Sequence, residues 1–206
     1  IAGNYTCTIT DAAGCSTSNA VTITQPAVGL SSSIASQTNV NCFGGNSGSA
    51  TVAVRGGTAP YNYSLNSSPV QNGAAAINLS AGNYTCTITD ASGCSTTRGA
   101  TITQPAAALN ATIGAQANVS CFGGSSGSAT INVSGGTAPY SYGWNTSPVQ
   151  TGATATGLSA GGYLCTVTDA NGCITTRSVA IAQPAAALAG NVSAQTNVGC
   201  FGGSTG

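Results

Sequence analysis

The chain has 206 residues, a formal net charge of zero from three Arg and three Asp, and no His, so charged residues are only 3% of it, against about 25% in an ordinary globular domain. That inventory excludes a nucleic-acid-binding face, which needs clustered cations to neutralise phosphates. It also leaves no His, Glu or Lys for general acid–base chemistry, which argues against an enzyme. The hydrophobic fraction of 41% lies in short alternating runs, unlike the charged, apolar-poor chains that stay disordered. No apolar stretch approaches the ~20 residues that would span a bilayer, so no membrane insertion is expected in this segment. Nine Cys beside no Met and no His read as a disulfide-bearing secreted protein rather than a metal site. With no initiating Met and no leader-like start, the segment is expected to begin inside a longer mature chain.

Taken from the N-terminus, the first element is AGNYTCTITDA at Ala2 to Ala12, and it recurs unchanged at Ala81 to Ala91 and as AGGYLCTVTDA at Ala160 to Ala170. CFGG follows the same spacing at Cys42, Cys121 and Cys200, as do TAPY at Thr58 and Thr137 and SPVQ at Ser68 and Ser147; every offset is 79 residues. Cutting after the QP pairs gives residues 1–26 as the C-terminal part of a repeat, complete repeats at 27–105 and 106–184, and 185–206 as the N-terminal part of the next. A period of 79 exceeds the ~50 residues of the longest solenoid turns or propeller blades. It suits a tandem array in which each repeat folds around its own core.

Within a repeat the apolar residues alternate with period two. In the second complete repeat Leu109, Ala111 and Ile113 share one face, and Ala129, Ile131 and Val133 follow after the Gly-rich CFGGSSG turn. Then come Tyr140, Tyr142 and Trp144, next Tyr163, Cys165 and Val167, and finally Val179 and Ile181. Turn signals every 8–12 residues make this the pattern of a β-sandwich. Seven strands are expected, the weak segment from Val149 to Leu158 holding two short ones, because an odd number places the two termini at opposite ends, as a closely linked array requires. The aromatic residues fall on inward phases, so Tyr61, Tyr63, Tyr84, Tyr140, Tyr142, Trp144 and Tyr163 are the expected core; Trp144 aligns with Leu65, which favours packing over sugar stacking. Asp11, Asp90 and Asp169 open turns that carry Gly three residues on; one carboxylate per repeat falls far short of the 6–8 oxygens of a calcium site. The Gly-rich CFGGSSG lacks the Lys of a phosphate loop. No cofactor and no metal are expected.

Two resemblances follow from these residues. Tyr-x-Cys at Tyr84/Cys86 and Tyr163/Cys165, opening the penultimate strand, is similar to the tyrosine corner of immunoglobulin-like sandwiches. The whole unit, NVSCFGGSSGSATINVSGGTAPYSYGWN with the GLSAGGYLCTVTDANGC hairpin and a closing strand ending in QP, resembles the SprB-type repeats of large Bacteroidota cell-surface proteins, including gliding adhesins. The resemblance covers both complete repeats and, by register, both partial ones. It implies an all-β fold of tandem immunoglobulin-like or PKD-like β-sandwich domains, exported by the type IX system to the bacterial outer cell surface. One position departs from it: where Cys86 and Cys165 stand, the family often carries Val or another apolar residue.

Three cysteines per repeat cannot all pair within it. The family resemblance implies Cys42–Cys94 and Cys121–Cys173, leaving Cys7, Cys86 and Cys165 as thiols for inter-repeat or interchain links. The seven-strand topology instead favours Cys42–Cys86 and Cys121–Cys165, leaving the turn cysteines Cys94 and Cys173 to reach outward. A third reading is a buried free thiol acting as a small hydrophobe, since Cys165 lies in phase with Tyr163 and Val167. Sequence leaves all three open. The function expected is that of a non-catalytic structural segment of a long extracellular filament or adhesin, serving adhesion, gliding or biofilm cohesion. Its expected partners are neighbouring repeats, further chains in fibres and surface glycans. The alternative is a carbohydrate-binding module array using the turns Gly56 to Pro60 and Gly135 to Pro139.

Overall fold

The structure, a computed structural model, describes residues 1–199 and 201–203; Cys200 lies outside the described residues. Every regular element among the described residues is a β-strand, and the chain divides into two compact units, Ile1–Ala106 and Ala107–Gly206.

The first unit opens with a hairpin of β1 (Gly3–Thr10) and β2 (Ser16–Ile23), a two-stranded sheet. Six strands follow: β3 (Ser31–Thr38), β4 (Gly48–Arg55), β5 (Asn62–Leu65), β6 (Ala75–Leu79), β7 (Gly82–Thr89) and β8 (Ser95–Ile102). They form two antiparallel sheets, ordered β3-β4-β6 and β5-β7-β8. The second unit repeats this with β9 (Asn110–Ala117), β10 (Gly127–Ser134), β11 (Ser141–Trp144), β12 (Thr154–Leu158), β13 (Gly161–Thr168) and β14 (Ile174–Ile181), in sheets β12-β10-β9 and β11-β13-β14. The β1–β2 hairpin carries the register of the β7–β8 hairpin, Gly3 opposite Ile23 as Gly82 is opposite Ile102. Among the described residues it pairs with no further strand, and its residues are exposed along both strands.

Alternation decides which face is buried. Along β10, Gly127, Ala129 and Ile131 point inward while the Ser and Thr between them do not, and β13 buries Cys165 and Val167 in the same way. Each complete repeat closes its own core, around Leu65, Leu79, Ile88 and Ile102 in the first and around Trp144, Leu158, Val167 and Ile181 in the second. The expected face of Leu109, Ala111 and Ile113 breaks at its end: Ala111 is buried, but Ile113, on the edge strand β9, is 36% exposed. The tyrosines sit at the margin of the core, half-buried and packed against it, whereas Trp144 lies at its centre with 1% exposure. The indole Nε1–H of Trp144 donates to the Gly152 carbonyl at 2.9 Å, which satisfies its one polar group. In the first repeat Leu65 takes this place and leaves an apolar gap of about 10 Å³ against Ile34, Ala76 and Cys86.

Each complete repeat holds six strands, not seven. The segment expected to carry two strands carries one, β6 or β12; in place of the other there is an isolated antiparallel bridge, Leu65 with Gln71, matched by the Trp144 N–H to Gln150 carbonyl bond of 3.0 Å. Pro69 and Pro148 lie in this stretch, each after a cis peptide bond, and proline lacks the N–H that a ladder needs. The chain still reverses there, so seven traverses are made. Each repeat is entered beside Arg55 and Asp90, or Ser134 and Asp169, and left beside Val40 or Val119, at the opposite end.

Truncating Trp144 removes the largest buried side chain and orphans the Gly152 carbonyl. Trp144→Ala is expected to destabilise the second repeat by about 3–5 kcal/mol, read as a lower thermal midpoint for that repeat; an unchanged melting profile contradicts this packing.

Candidate functional site: the two ends of each repeat

At the entry end, the chain leaving β4 turns through Gly56 and Gly57, both with positive φ near +67° (68° and 66°). A Cβ on Gly57 would lie 2.7 Å from an Asp90 carboxylate oxygen, and one on Gly56 would collide with the Gly29 carbonyl oxygen, so only glycine fits. Asp90 is 3% exposed, and both of its oxygens are engaged. One accepts the N–H of Thr58 at 2.9 Å, across the loop; the other accepts those of Ser92 and Cys94 at 3.0 and 2.8 Å, closing the turn. Asp169 repeats the arrangement with Thr137, Asn171 and Cys173 at 2.9, 2.9 and 2.8 Å. The Asp of each turn therefore does more than open it, since it ties two loops of one end together.

These bonds set the ionisation of both carboxyls. The Thr58 N–H lowers the Asp90 pKa, burial opposes it, and the Cys94 and Ser92 N–H groups add to the lowering. For Asp169, burial pushes upward, but the N–H groups of Cys173, Thr137, Asn171 and Gly172 outweigh it, so the net direction is again down.

The tyrosine hydroxyls are anchored on the backbone. Tyr61 and Tyr140 donate to the carbonyls of Gly56 and Gly135, each at 2.7 Å. Tyr84 and Tyr163 donate to Ser80 and Ser159, four residues upstream, at 3.0 and 3.1 Å, the geometry of a tyrosine corner. The exposed aromatic residues of the complete repeats are Phe43 and Phe122, both in the CFGG turns.

At the exit end, the CFGG turn is held by the QP pair. The Gln104 side-chain oxygen accepts the Gly44 N–H at 2.7 Å, and the Gln183 oxygen accepts that of Gly123 at 2.9 Å, each bond spanning 60 residues. Val40 N–H donates to the Thr103 carbonyl and Val119 N–H to that of Ala182, both at 2.9 Å. The Asn39 and Asn118 side chains return bonds to the Thr103 and Ala182 N–H groups. Sequence reading took QP only as punctuation. The spacing of CFGG and QP gave no signal of this contact, because every motif of the repeat recurs at the same 79-residue offset.

This geometry corrects the disulfide expectations. Within a repeat, Cys42 and Cys121 belong to the exit end, whereas Cys94 and Cys173 belong to the entry end. Eight-residue strands separate them by about 26 Å, whereas a disulfide needs Cα atoms about 4.4–6.8 Å apart. Cys42–Cys94 and Cys121–Cys173 are therefore not made within a repeat, and Cys94 and Cys121 are exposed free thiols. The alternative pairings fail as well. Cys86 and Cys165 lie four positions inside β7 and β13, in register with Arg98 and Arg177 across the hairpin. They are buried free thiols at 3% and 0% exposure, which also removes them as cross-linking groups. Burial pushes both thiol pKa values up, against a smaller opposing effect of the Ser64 and Gly143 backbone. Cys7, at the same repeat position, is an exposed free thiol on the uncovered β1–β2 hairpin. Cys42 and Cys173 are in disulfide form.

Residues 34–70 and 113–149 match the SprB repeat family model, once in each complete repeat. Each complete repeat thus contains a stretch similar to the SprB repeat family, set within a fold of two facing antiparallel sheets. No protein with a curated description matches it. Among solved structures, it is similar to three N-terminal domains of the Hoc outer capsid protein of bacteriophage RB49, with 17% identity, a TM-score of 0.44 and coverage of 75% of this chain. It is also similar to the eight N-terminal Ig domains of Down syndrome cell adhesion molecule, with 16% identity, a TM-score of 0.42 and coverage of 88%. A tetra-tandem repeat from the extending region of a large adhesion protein gives 11% identity, a TM-score of 0.27 and coverage of 88%. The matches span 59%, 27% and 57% of those three chains.

Two solution experiments follow. A carboxylate whose folded pKa is lowered adds stability above its unfolded pKa of about 3.9 and loses it as pH falls through the lower folded value. Stability of each repeat is thus expected to be flat near neutrality and to fall below about pH 4, with a weaker acid dependence in Asp90→Asn and Asp169→Asn, followed by thermal melts from pH 7 to 2. Cys86 and Cys165 are expected to resist maleimide in the folded chain and to react on unfolding; labelling at the native rate of Cys94 contradicts their burial.

Proposed function

We propose that these repeats are non-catalytic structural links of a long cell-surface adhesin or filament, whose length serves adhesion, gliding or biofilm cohesion outside the bacterial cell. The observation that carries this reading is the opposite-end geometry of each complete repeat. The chain enters beside Asp90 or Asp169 and leaves beside Gln104 or Gln183, so adding a copy adds reach. The SprB repeat matches support a cell-surface setting, and one of the structural neighbours is itself the extending region of a large adhesion protein. A nearly uncharged exterior removes long-range repulsion between copies and between chains, which favours lateral association into fibres.

A carbohydrate-binding module is supported less well. Its turns at Gly56 to Pro60 and Gly135 to Pro139 present glycine backbone, and the nearby Tyr61 and Tyr140 are half-buried with their hydroxyls bound to that backbone. Surface glycans remain a partner class to screen with a two-repeat chain on a glycan array.

Chains of two, four and eight repeats are expected to lengthen linearly in electron micrographs, by about 3 nm per repeat given strands of eight residues at ~3.3 Å each. Association is expected to be nearly indifferent to salt between low and high ionic strength. A maximum dimension that does not grow with copy number, or fibres that dissolve in salt, overturns the reading.

A further inference from the structure

We propose that Asn72–Gly73 is a self-modifying site, at which the Asn72 side chain deamidates through a cyclic imide and leaves an isoaspartyl linkage carrying a free carboxylate. The inference concerns one loop of the first complete repeat and is independent of the filament reading.

The chain holds two Asn-Gly pairs, Asn72–Gly73 and Asn171–Gly172. Glycine after asparagine leaves its own N–H an unhindered approach to the side-chain carbonyl, because no Cβ stands in the way. The fold treats the two pairs differently. In the second, both reacting groups are held: the Asn171 side-chain amide donates to the Thr137 hydroxyl at 3.0 Å, and the Gly172 N–H donates to the Asp169 carbonyl at 3.0 Å. Asn72 and Gly73 are exposed, and among the described residues neither the Asn72 side chain nor the Gly73 N–H has a hydrogen-bond partner. The second repeat places Thr151 before Gly152 in the matching loop, so the reactive amide belongs to the first repeat alone.

The reaction needs only water and hydroxide. The Gly73 nitrogen gives its proton to hydroxide and attacks the Asn72 side-chain carbonyl carbon. A C–N bond forms, the bond to Nδ2 breaks, and that nitrogen leaves as ammonia after taking a proton from water. Water then adds to the main-chain carbonyl of the ring and breaks its bond to the Gly73 nitrogen. The chain now runs through the former side-chain carbon of Asn72, and the old main-chain carbonyl is a carboxylate.

The lengthened link falls between two fixed points. On one side the Gln71 carbonyl accepts the Leu65 N–H at 2.9 Å, while the Gln71 side chain bonds the Ile77 N–H and carbonyl at 3.0 and 2.9 Å. On the other side the Ala74 carbonyl accepts the Val52 N–H at 2.8 Å. An inserted main-chain carbon between these anchors loosens the entry into β6, and a negative charge is added to a chain whose formal net charge is zero.

The test ages the whole chain in warm, mildly alkaline buffer and isolates the more anionic product by anion exchange. Peptide mapping with electron-transfer fragmentation is expected to find isoaspartate at position 72 forming roughly tenfold faster than at 171, the penalty of opening two ordinary hydrogen bonds there. In concentrated urea the two rates are expected to converge. Gly73→Ala is expected to suppress the reaction without disturbing the loop, since its Cβ would meet only Ala75 backbone atoms, at 3.4 and 3.8 Å. Hydrogen exchange of the aged chain is expected to be faster at the Val52 amide and unchanged at Ile131, which donates to Ala153 in the unmodified second repeat. Equal rates at the two pairs in the folded chain, a product at 72 that is aspartate alone, or unaltered exchange at Val52 each overturn the proposal.

Discussion

A single carboxylate governs the architecture of each complete repeat. The sequence offers one Asp per repeat, and the fold places it at low exposure, where an ion is costly unless it is fully hydrogen-bonded. Three backbone N–H groups meet that requirement for Asp90, and the same three positions serve Asp169. Because these donors come from two loops, the charge can be buried only if the Gly-Gly turn and the hairpin turn close on each other. That closure fixes the entry end, and the need to clear the carboxylate explains why Gly57 and Gly136 cannot carry a side chain.

The exit end solves the same problem with neutral groups. Gln104 and Gln183 cap the CFGG turn, and Asn39 and Asn118 satisfy the closing strand. A chain with so few ions relies on amides and hydroxyls to satisfy its loops, and these bonds are insensitive to pH and to salt across ordinary conditions. Buried polar side chains among the described residues all find partners, as a small sandwich of modest core requires.

Much of this was legible in the sequence, and what was missed has a common cause. Period-two alternation located the inward faces of β10 and β13, and the exact 79-residue recurrence implied equivalent folds. Local chemistry is written locally, so the Asp90 and Asp169 turns could be read from four residues. The carboxylate bond to Thr58 spans 32 residues and the Gln104 bond to Gly44 spans 60, and no periodicity reports such partners. The disulfide expectations failed for a related reason. The topological pairing set the CFGG cysteine and the penultimate strand at one end, but Cys86 and Cys165 lie inside β7 and β13 with their side chains in the core. The seventh strand was missed locally: the segment from Val149 to Leu158 carries one strand, Thr154–Leu158, and the equivalent part of the first repeat adds only the Leu65–Gln71 bridge.

Entry and exit at opposite poles also carry a genetic consequence. When a folding unit encloses its own core, duplicating or deleting one in-frame copy leaves the core of every other copy intact. The recurrence of AGNYTCTITDA at an offset of 79 residues means that an in-frame gain or loss of one copy adds or removes one whole folded unit. Length then becomes a heritable quantity that selection can adjust in discrete steps.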